Sequence, residues 1–586
     1  MVESGAVKTR TALMRVALGE TPPDFLLKGG TVVNVYTGEC LDRWEVAVAG
    51  DRIAAVGPPG SGVVGPATQV LDVPGKVVIP GFIDGHTHMD HLLRPEALIP
   101  WALKGGTTTI ITEIEELSSA MGLVGARWFL EAVRDQPVRF YATAPTITYT
   151  CTDDGTGRPL LSLQDMETIL DHPLVLGLGE VYWHRLLAEP ERLLPLIEAC
   201  RHRRKRVEGH TAGARGPKLQ ACVAAGVSSC HEPITPEQAL ERLRLGLHVM
   251  LREGSVRSDL EAMAPLRGVG VDLRRTLLVS DTMWPPELIG RGYMNGIVQR
   301  AIDLGFDPVQ AIQMATLNVA EHFGLDGELG GIAPGRRADL VVIPSLRDMK
   351  PEGVIAGGEL AVWDNECRVT PRVVPPPSVG SPSFPRPLTM ADFAVAAQGR
   401  RGSARVRAIQ LRGDILTAEL AVELSVRDGQ VQVDPQRDLL KVVAFDRRGH
   451  GRLMVGVVAG FGLRDGAAAT SLTFDTADVV VVGAREEAML QVARAVLEAG
   501  GGYGVVKDGR IELLPLPGGG IISNLSAPEV ATRLLAIETS FRALGCRLRN
   551  PFLTLQTLTF SAIPALRISS KGLLDVKANR PVDLFL

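Results

Sequence analysis

The stretch VIPGFIDGHTHMDH, at residues 78–91, decides the fold. Its apolar residues, punctuated by Pro80-Gly81, predict a buried strand. His86 and His88 follow at positions i and i+2, and because alternate side chains of a strand share one face, both imidazoles can point the same way. Two neutral nitrogens at a strand end suit one transition metal. The alternative is a chance histidine pair, which further ligands downstream would argue against.

Composition excludes several classes of protein. The 586 residues are enough for roughly two or three domains. The 62 basic and 66 acidic side chains are near balance, which argues against a nucleic-acid partner. The apolar runs are too short to span a bilayer, and no apolar signal segment is visible near residue 1. Seven scattered cysteines without a Cys-x-x-Cys pair are typical of a reducing cytoplasm. We therefore expect a cytoplasmic protein that binds neither membranes nor nucleic acid.

Between residues 80 and 325, β-like runs alternate with helical stretches. About eight such units in about 245 residues is the size of a (β/α)8 barrel of the TIM type. A doubly wound sheet is the alternative. Polar residues stand at the ends of several of these strands, and the mouth of a barrel, where such ends converge, explains them better. The fold class is therefore predicted to be α/β, with a (β/α)8 TIM-like barrel at its centre.

Smaller segments flank the barrel. Residues 1–79 combine a short N-terminal helix with β-rich runs, and the same β-rich pattern returns at residues 326–370. Both flanks are predicted to contribute strands to one small β-sandwich domain. The Pro-rich residues 371–390 predict a semi-rigid linker. Residues 391–586 predict a C-terminal domain of α/β or α+β type with its own core.

Further candidate ligands end the apolar runs of the barrel segment. They are Glu180, His210, His231 with its neighbour Glu232, and Asp281. Taken alone, each is more often a hydrogen-bonded structural residue or, for an acidic side chain before a helix, an N-cap. Together with His86 and His88 they predict one site for two divalent metals, with Glu180 as a bridging carboxylate.

This ligand set predicts hydrolysis. Divalent metals lower the pKa of a bridging water until hydroxide forms near neutral pH. Asp281 can accept the proton of that water and pass it to the leaving group, and Glu232 is the second predicted catalytic residue. The reacting centre is expected to be an sp² carbon that bears nitrogen, in an amide or in an amino-substituted ring.

The other histidines are predicted to lie outside the site. His248 lies on a strand and is expected in the core, while His91 is near the site and stays open. The histidines expected to face solvent are His172, His184, His202, His322 and His450.

The quoted residues resemble the amidohydrolase superfamily and, within it, the bacterial adenine deaminase family. PGFIDGHTH at 80–88 is similar to the superfamily's first metal motif, and APGRRADLVV at 333–342 is similar to its return to the small β-domain. GLGEV at 177–181 and the C-terminal runs LPLPGGGIIS at 514–523 and NPFLTLQTLTFSAIPALRISSKGLLDV at 550–576 resemble adenine deaminases. The general superfamily lacks that C-terminal domain.

The resemblance implies that adenine, a small purine base, and water give hypoxanthine and ammonia. It implies a binuclear centre of Mn²⁺ or Fe²⁺, with Zn²⁺ as a further candidate, and Glu180 where many relatives carry a carboxylated lysine. It also implies a homo-oligomer, a dimer or larger.

Several motifs depart from the family pattern near the expected substrate. Met89-Asp90-His91 stands where the family has Glu-Ser-Ser, and Glu115-Glu116 stands where it has His-Glu. Two family histidines are lost at residues 471–478, where Asp475 is kept. Glu115, Glu116 and Asp475 are the candidates for substrate binding. The predicted substrate is therefore adenine or a closely related aminopurine.

Two other functions stay open. A cyclic amidohydrolase of the dihydroorotase or hydantoinase kind would use the same barrel, but that class usually has a lysine at the position of Glu180 and lacks the C-terminal domain. A diverged paralogue that binds a purine without turnover is the non-enzymatic alternative, and the complete ligand set argues against it.

Overall fold

The computed structural model describes residues 4–154 and 157–586. As the sequence predicts, a helix opens the described chain and short strands follow it. These elements are α1 (Ser4–Ala17), β1 (Phe25–Lys28), β2 (Thr31–Asn34), β3 (Glu39–Leu41), β4 (Glu45–Ala49), β5 (Arg52–Gly57), β6 (Gln69–Asp72) and β7 (Val77–Pro80).

A barrel of parallel strands follows directly. Its strands are β8 (Phe82–Thr87), β9 (Thr107–Thr112), β10 (Arg139–Ala144), β11 (Val175–Tyr182), β12 (Arg206–His210), β13 (Ser229–Cys230), β14 (His248–Arg252) and β15 (Thr276–Val279). Strands β8 to β12 form one parallel sheet and β13 to β15 another. The backbone N–H of Ser228 donates to Val207 at 2.8 Å, and Thr87 pairs with Asp281, so the two sheets close into a ring. The (β/α)8 prediction is confirmed, and the doubly wound alternative is wrong.

Helices alternate with the barrel strands, and their starts carry ordinary local signals. For example, Thr235 accepts a hydrogen bond from the N–H of Gln238, and Pro236 occupies the first turn. The helices are α2 (Pro95–Lys104), α3 (Glu115–Ala132), α4 (Thr146–Cys151), α5 (Leu163–Leu170), α6 (Trp183–Ala188), α7 (Pro190–His202), α8 (Pro217–Ala224), α9 (Pro236–Arg244), α10 (Leu260–Met263), α11 (Pro285–Arg291), α12 (Met294–Asp303), α13 (Pro308–Met314) and α14 (Leu317–Phe323).

Strands after the barrel return to the N-terminal sheets. They are β16 (Leu340–Ile343), β17 (Gly353–Ala356), β18 (Glu359–Trp363) and β19 (Glu366–Cys367). Strand β16 pairs antiparallel with β7, giving a sheet with the order β19-β18-β17-β16-β7-β2-β3. The other sheet has the order β5-β4-β1-β6, and apolar residues of both sheets share one core. The prediction of one sandwich built from both flanks is confirmed.

Residues 371–389 contain neither a helix nor a strand, and Met390 begins a short 3-10 helix. The segment lies against the barrel, where Trp128 Nε1 donates to the carbonyl of Val374 at 3.3 Å. The elements beyond them are β20 (Val395–Ala396), β21 (Gly402–Arg412), β22 (Leu416–Arg427), β23 (Gln430–Val431), β24 (Leu439–Phe445), β25 (Leu453–Ala459), β26 (Ala467–Thr470), β27 (Val479–Gly483), α15 (Glu486–Glu498), β28 (Gly502–Lys507), β29 (Arg510–Pro515), α16 (Ala527–Ala543), α17 (Pro551–Thr557), β30 (Leu566–Ser569), β31 (Gly572–Asp575) and β32 (Arg580–Val582).

The C-terminal domain lies against the barrel beside its mouth. Leu92, just after β8, donates its N–H to the carbonyl of Ile521 at 2.8 Å and accepts from the N–H of Ser523 at 2.9 Å. In the loop that follows β14, the carbonyl of Ser255 accepts a hydrogen bond from Asn550 Nδ2 at 3.4 Å. These bonds fix the position of the C-terminal domain relative to the carboxyl ends of the barrel strands.

Candidate metal centre and active-site cavity

The six predicted metal ligands converge at the mouth of the barrel. Glu180 Oε1 lies 3.5 Å from His86 Nε2, 3.3 Å from His88 Nε2 and 3.2 Å from His231 Nε2. The possible ligand atoms of these six residues form two groups, and within each group they lie within 4.8 Å of one another; His88 also belongs to a third group, with Asp90 and Glu116. One group is His86, His88, Glu180 and Asp281, and the other is Glu180, His210 and His231. Glu180 belongs to both groups, as a bridging ligand must.

Asp281 owes its position to strand β8. Its φ is +61°, in the left-handed region that aspartate adopts more readily than most residues. Its N–H donates to the carbonyl of His86 and its carbonyl accepts from the N–H of His88, both at 3.0 Å. The N-cap of α11 is Trp284, so interpreting Asp281 as a helix cap is wrong.

The donor set fits divalent metal ions. Among the described residues, the buried His86 Nε2 has no hydrogen-bond partner in good geometry, although it faces carboxylate oxygens of Glu180 and Asp281. Burial alone would raise the pKa of Glu180, but the charges of His231 and His210 outweigh it and hold that pKa well below its usual range. Imidazole nitrogens with ionised carboxylates are a ligand set for Mn, Fe or Zn.

Further carboxylates contact the outer nitrogens of the first two histidines. Glu113 Oε1 lies 3.5 Å from His86 Nδ1, and Glu116 Oε2 lies 3.2 Å from His88 Nδ1. Room for Glu113 exists because residue 179 is glycine: a Cβ there would lie 1.9 Å from Glu113 Oε2. Carboxylates in such positions fix the orientation and tautomer of metal-binding imidazoles.

Glu232 and Arg252 lie on the other side of the cluster. Glu232 Oε1 is 3.3 Å from His231 Nε2 and forms a salt bridge with Arg252. Arg252 Nη1 also lies 3.4 Å from Asp281 Oδ2. Burial opposes ionisation of both carboxyls, but Arg252 and the nearby histidines outweigh it, so the pKa values of Glu232 and Asp281 stay below their usual ranges. The sequence analysis missed Arg252, although it ends β14 as the ligands end their strands.

A cavity of about 330 Å³ opens from the cluster, a size typical of small-molecule sites. The predicted site residues on the barrel border it, except the buried His86. The opposite side comes from the C-terminal domain, and its residues are here termed the C-terminal wall. The C-terminal wall is formed by Ile415, Leu416, Phe474, Asp475, Leu553, Thr557, Phe560, Ala562, Ile563 and Pro564.

The three predicted substrate-binding residues all border this cavity, yet each also has protein partners. Glu115 accepts hydrogen bonds from the N–H groups at the start of α4, and burial together with nearby Glu113 raises its pKa well above the usual value. Glu116 contacts His88. Asp475 accepts from Tyr182 Oη at 3.0 Å and from the N–H and hydroxyl of Ser561, both at 2.6 Å.

Among the remaining histidines, one prediction was wrong. His322 is buried, and its Nε2 lies 2.9 Å from Glu208 Oε1 inside the barrel, whereas the sequence analysis placed it in solvent. His248, which was expected in the core, is half-buried, and its ring is tilted by 47° to that of His322 at a centroid distance of 4.3 Å. His202 and His450 are exposed as predicted, His172 and His184 are half-buried, and the buried His91 does not belong to either ligand group.

Comparisons with known proteins agree with this geometry. Residues 77–361 match the family model described as "Amidohydrolase family", and residues 414–580 match "Adenine deaminase C-terminal domain". An adenine deaminase of Moorella thermoacetica is 36% identical over 98% of this chain and 97% of its own length. One of Cenarchaeum symbiosum is also 36% identical, over 96% of this chain and 93% of its own. Taken with the two ligand groups, these matches support a divalent metal at the barrel mouth.

A solved structure of a β-aspartyl dipeptidase from Fervidobacterium islandicum AW-1 superimposes with a TM-score of 0.47 and 17% identity, over 59% of this chain and 97% of that one.

Within the described residues, no helix combines the length and apolar character needed to cross a bilayer.

Proposed function

Because the chain belongs to the adenine deaminase family, we infer that it hydrolyses adenine to hypoxanthine and ammonia. The observation that carries this conclusion is the pairing of two features in one cavity. The barrel provides two groups of ligand side chains that share Glu180, and the C-terminal domain typical of adenine deaminases forms the facing wall.

We propose that two divalent ions occupy the two groups, and that they are Mn²⁺ or Fe²⁺, with Zn²⁺ as the third candidate. His86, His88 and Asp281 would hold one ion, His210 and His231 the other, and Glu180 both. When bound, such ions lower the pKa of a coordinated water into the neutral range. The close approach of imidazole nitrogens to ionised carboxylates, both of them ligand types that these metals take, supports this assignment.

Asp281 is the proposed proton carrier. Its carboxyl is held ionised, borders the cavity and sits among the ligand side chains. It can therefore accept protons from the water that attacks the amino-bearing ring carbon. It returns one to the adjacent ring nitrogen and delivers the other to the amino nitrogen, which leaves as ammonia as its C–N bond breaks and the C=O bond of hypoxanthine forms. Glu232 is also ionised and can accept a hydrogen bond from the amino N–H of adenine. Glu115, Glu116 and Asp475 remain the proposed contacts to the rest of the ring.

The test is ammonia release from adenine by the full chain after its metals are stripped and each of Mn²⁺, Fe²⁺ and Zn²⁺ is restored. We expect ammonia and hypoxanthine in equal amounts, with little activity in the stripped protein. Turnover of another aminopurine, but not of adenine, would mean that the enzyme deaminates that compound instead. Metal binding without turnover of any aminopurine or cyclic amide would favour a binding protein over an enzyme.

We further propose a homo-oligomeric, cytoplasmic enzyme, a dimer or larger. The seven free cysteines support the cytoplasm. Light scattering on the eluting protein measures the assembly, and a monomeric mass at micromolar concentration would contradict the oligomer.

A further inference from the structure

Arg567, on β30, lies behind the C-terminal wall and is only 1% exposed. Its guanidinium donates to the backbone carbonyls of Ile415 at 2.7 Å, Thr557 at 2.9 Å and Ile563 at 3.1 Å. Burial lowers its pKa to about 10, partly offset by Asp475, so the side chain keeps its charge at neutral pH. Among the described residues, the buried guanidinium of Arg567 therefore donates only to backbone carbonyl oxygens.

The three carbonyls belong to two segments of the C-terminal wall, one at residue 415 and one that runs from residue 557 to residue 563. Ile415 immediately precedes β22, Thr557 ends α17, and Ile563 lies in the loop that follows. All three residues border the cavity. A guanidinium carries five N–H donors in a rigid plane, so one arginine can fix segments that make no regular ladder with one another. Lysine has neither the plane nor the number of donors.

The wall segment that Arg567 holds presents an aromatic ring to the ligand side chains. Phe560 lies between two of the bonded carbonyls in sequence, and its ring centroid is 6.1 Å from that of His210. Phe474 lies 5.6 Å from Phe560 in an edge-to-face arrangement. A purine ring in the cavity would therefore meet an aromatic surface whose position depends on carbonyls bonded to Arg567.

We propose that Arg567 is a positioning residue for substrate binding: it never touches the purine, but it fixes the C-terminal wall against which the ring packs. This inference rests on the proposed deamination of adenine. Because the ligand side chains and Asp281 belong to the barrel, loss of Arg567 would loosen the wall and leave the reacting groups in place. The expected signature is a raised KM with a nearly unchanged kcat.

The experiment compares Arg567→Met with Arg447→Met in the full, metal-loaded chain. Arg447 is equally buried, and it donates to the carbonyls of Gly380, Ser471, Ala477 and Gly519. In the part of the chain that the structure describes, none of these four residues borders the cavity. Both variants leave buried carbonyls without donors and should lower the melting temperature. Arg567→Met should raise the KM for adenine by about tenfold, because misplaced binding surfaces weaken substrate positioning. Arg447→Met should raise it less, because Ser471 and Ala477 flank the wall residues Phe474 and Asp475 but do not themselves border the cavity.

Arg567→Lys gives the graded control, because it keeps the charge and part of the hydrogen bonding. We expect a KM between those of the wild type and Arg567→Met, with metal content unchanged. If Arg567→Met does not fold, the KM of Arg567→Lys alone tests the positioning role. An unchanged KM, or an equal rise in Arg447→Met, would overturn the positioning role. An inactive wild type would instead refute the deamination itself, so the two failures can be told apart.

Discussion

The barrel mouth and the C-terminal wall face each other across one cavity, but they are built differently. The mouth collects one or two polar side chains from the ends of β8, β11, β12, β13 and β15, and these side chains contact one another. The wall is mostly apolar and is formed by the segments around residues 415, 475 and 560. Arg567 connects the first and the last of these segments by donating hydrogen bonds to their backbone carbonyls. From this comparison we expect the mouth to carry the chemistry, and the wall to pack against the ring and to share its recognition with Glu115 and Glu116 of the barrel.

Replacement of Asp281 by asparagine is the strongest test of the mouth. The amide keeps the shape of the side chain but cannot carry a proton, so kcat should fall by about 10³-fold, within the range for loss of a general acid–base group. KM and most of the bound metal should be retained, which kinetics and elemental analysis measure. Asp259→Asn is the control, because Asp259 contacts Arg252 from outside the cavity. Wild-type rates in Asp281→Asn would remove this residue from the mechanism.

The shared position of Glu180 predicts a difference in metal stoichiometry. Glu180 belongs to both ligand groups, whereas His210 belongs to one. Glu180→Gln should therefore weaken the binding of both ions. The expected loss of metal affinity is about 100-fold or more, because replacing a residue that only supports a metal ligand already costs roughly 10–100-fold. His210→Asn should spare one ion per chain. Titration of the stripped variants with Mn²⁺ measures both, and equal losses in the two variants would contradict the bridge.

Much of the mouth could be predicted from the sequence because its signals are local. An apolar run followed by a polar residue marks the end of a buried strand, and the barrel brings such ends together. Arg252 was missed because a guanidinium does not bind metal ions, and Glu113 was missed because its place depends on a contact with the outer nitrogen of His86. His322 was misplaced because a histidine in a helical stretch was expected to face solvent, whereas its pairing with Glu208 depends on a residue 114 positions away.

The wall could not be predicted in this way. Its segments have no common periodicity, and Arg567 is an ordinary residue in a short strand until the carbonyls around it are known. The long hairpin of β21 and β22, which places Ile415 and Leu416 beside the cavity, was also missed. Resemblance to a family detected the C-terminal domain, but not the side it presents to the metal site.

The smallest predicted effect concerns the link between mouth and wall. Tyr182 ends β11, two residues after Glu180, and its hydroxyl donates to Asp475 Oδ1 at 3.0 Å. Tyr182→Phe leaves that buried oxygen without this donor, which should cost about 1–3 kcal/mol of stability and raise the KM for adenine about threefold. Tyr293→Phe is the matched control, since Tyr293 donates to Asp84 at 2.7 Å within the barrel. Chemical denaturation and steady-state kinetics should show similar destabilisation in both variants, with a KM change in Tyr182→Phe alone. A KM change of equal size in both would mean that the barrel, and not its bond to the wall, positions the ring.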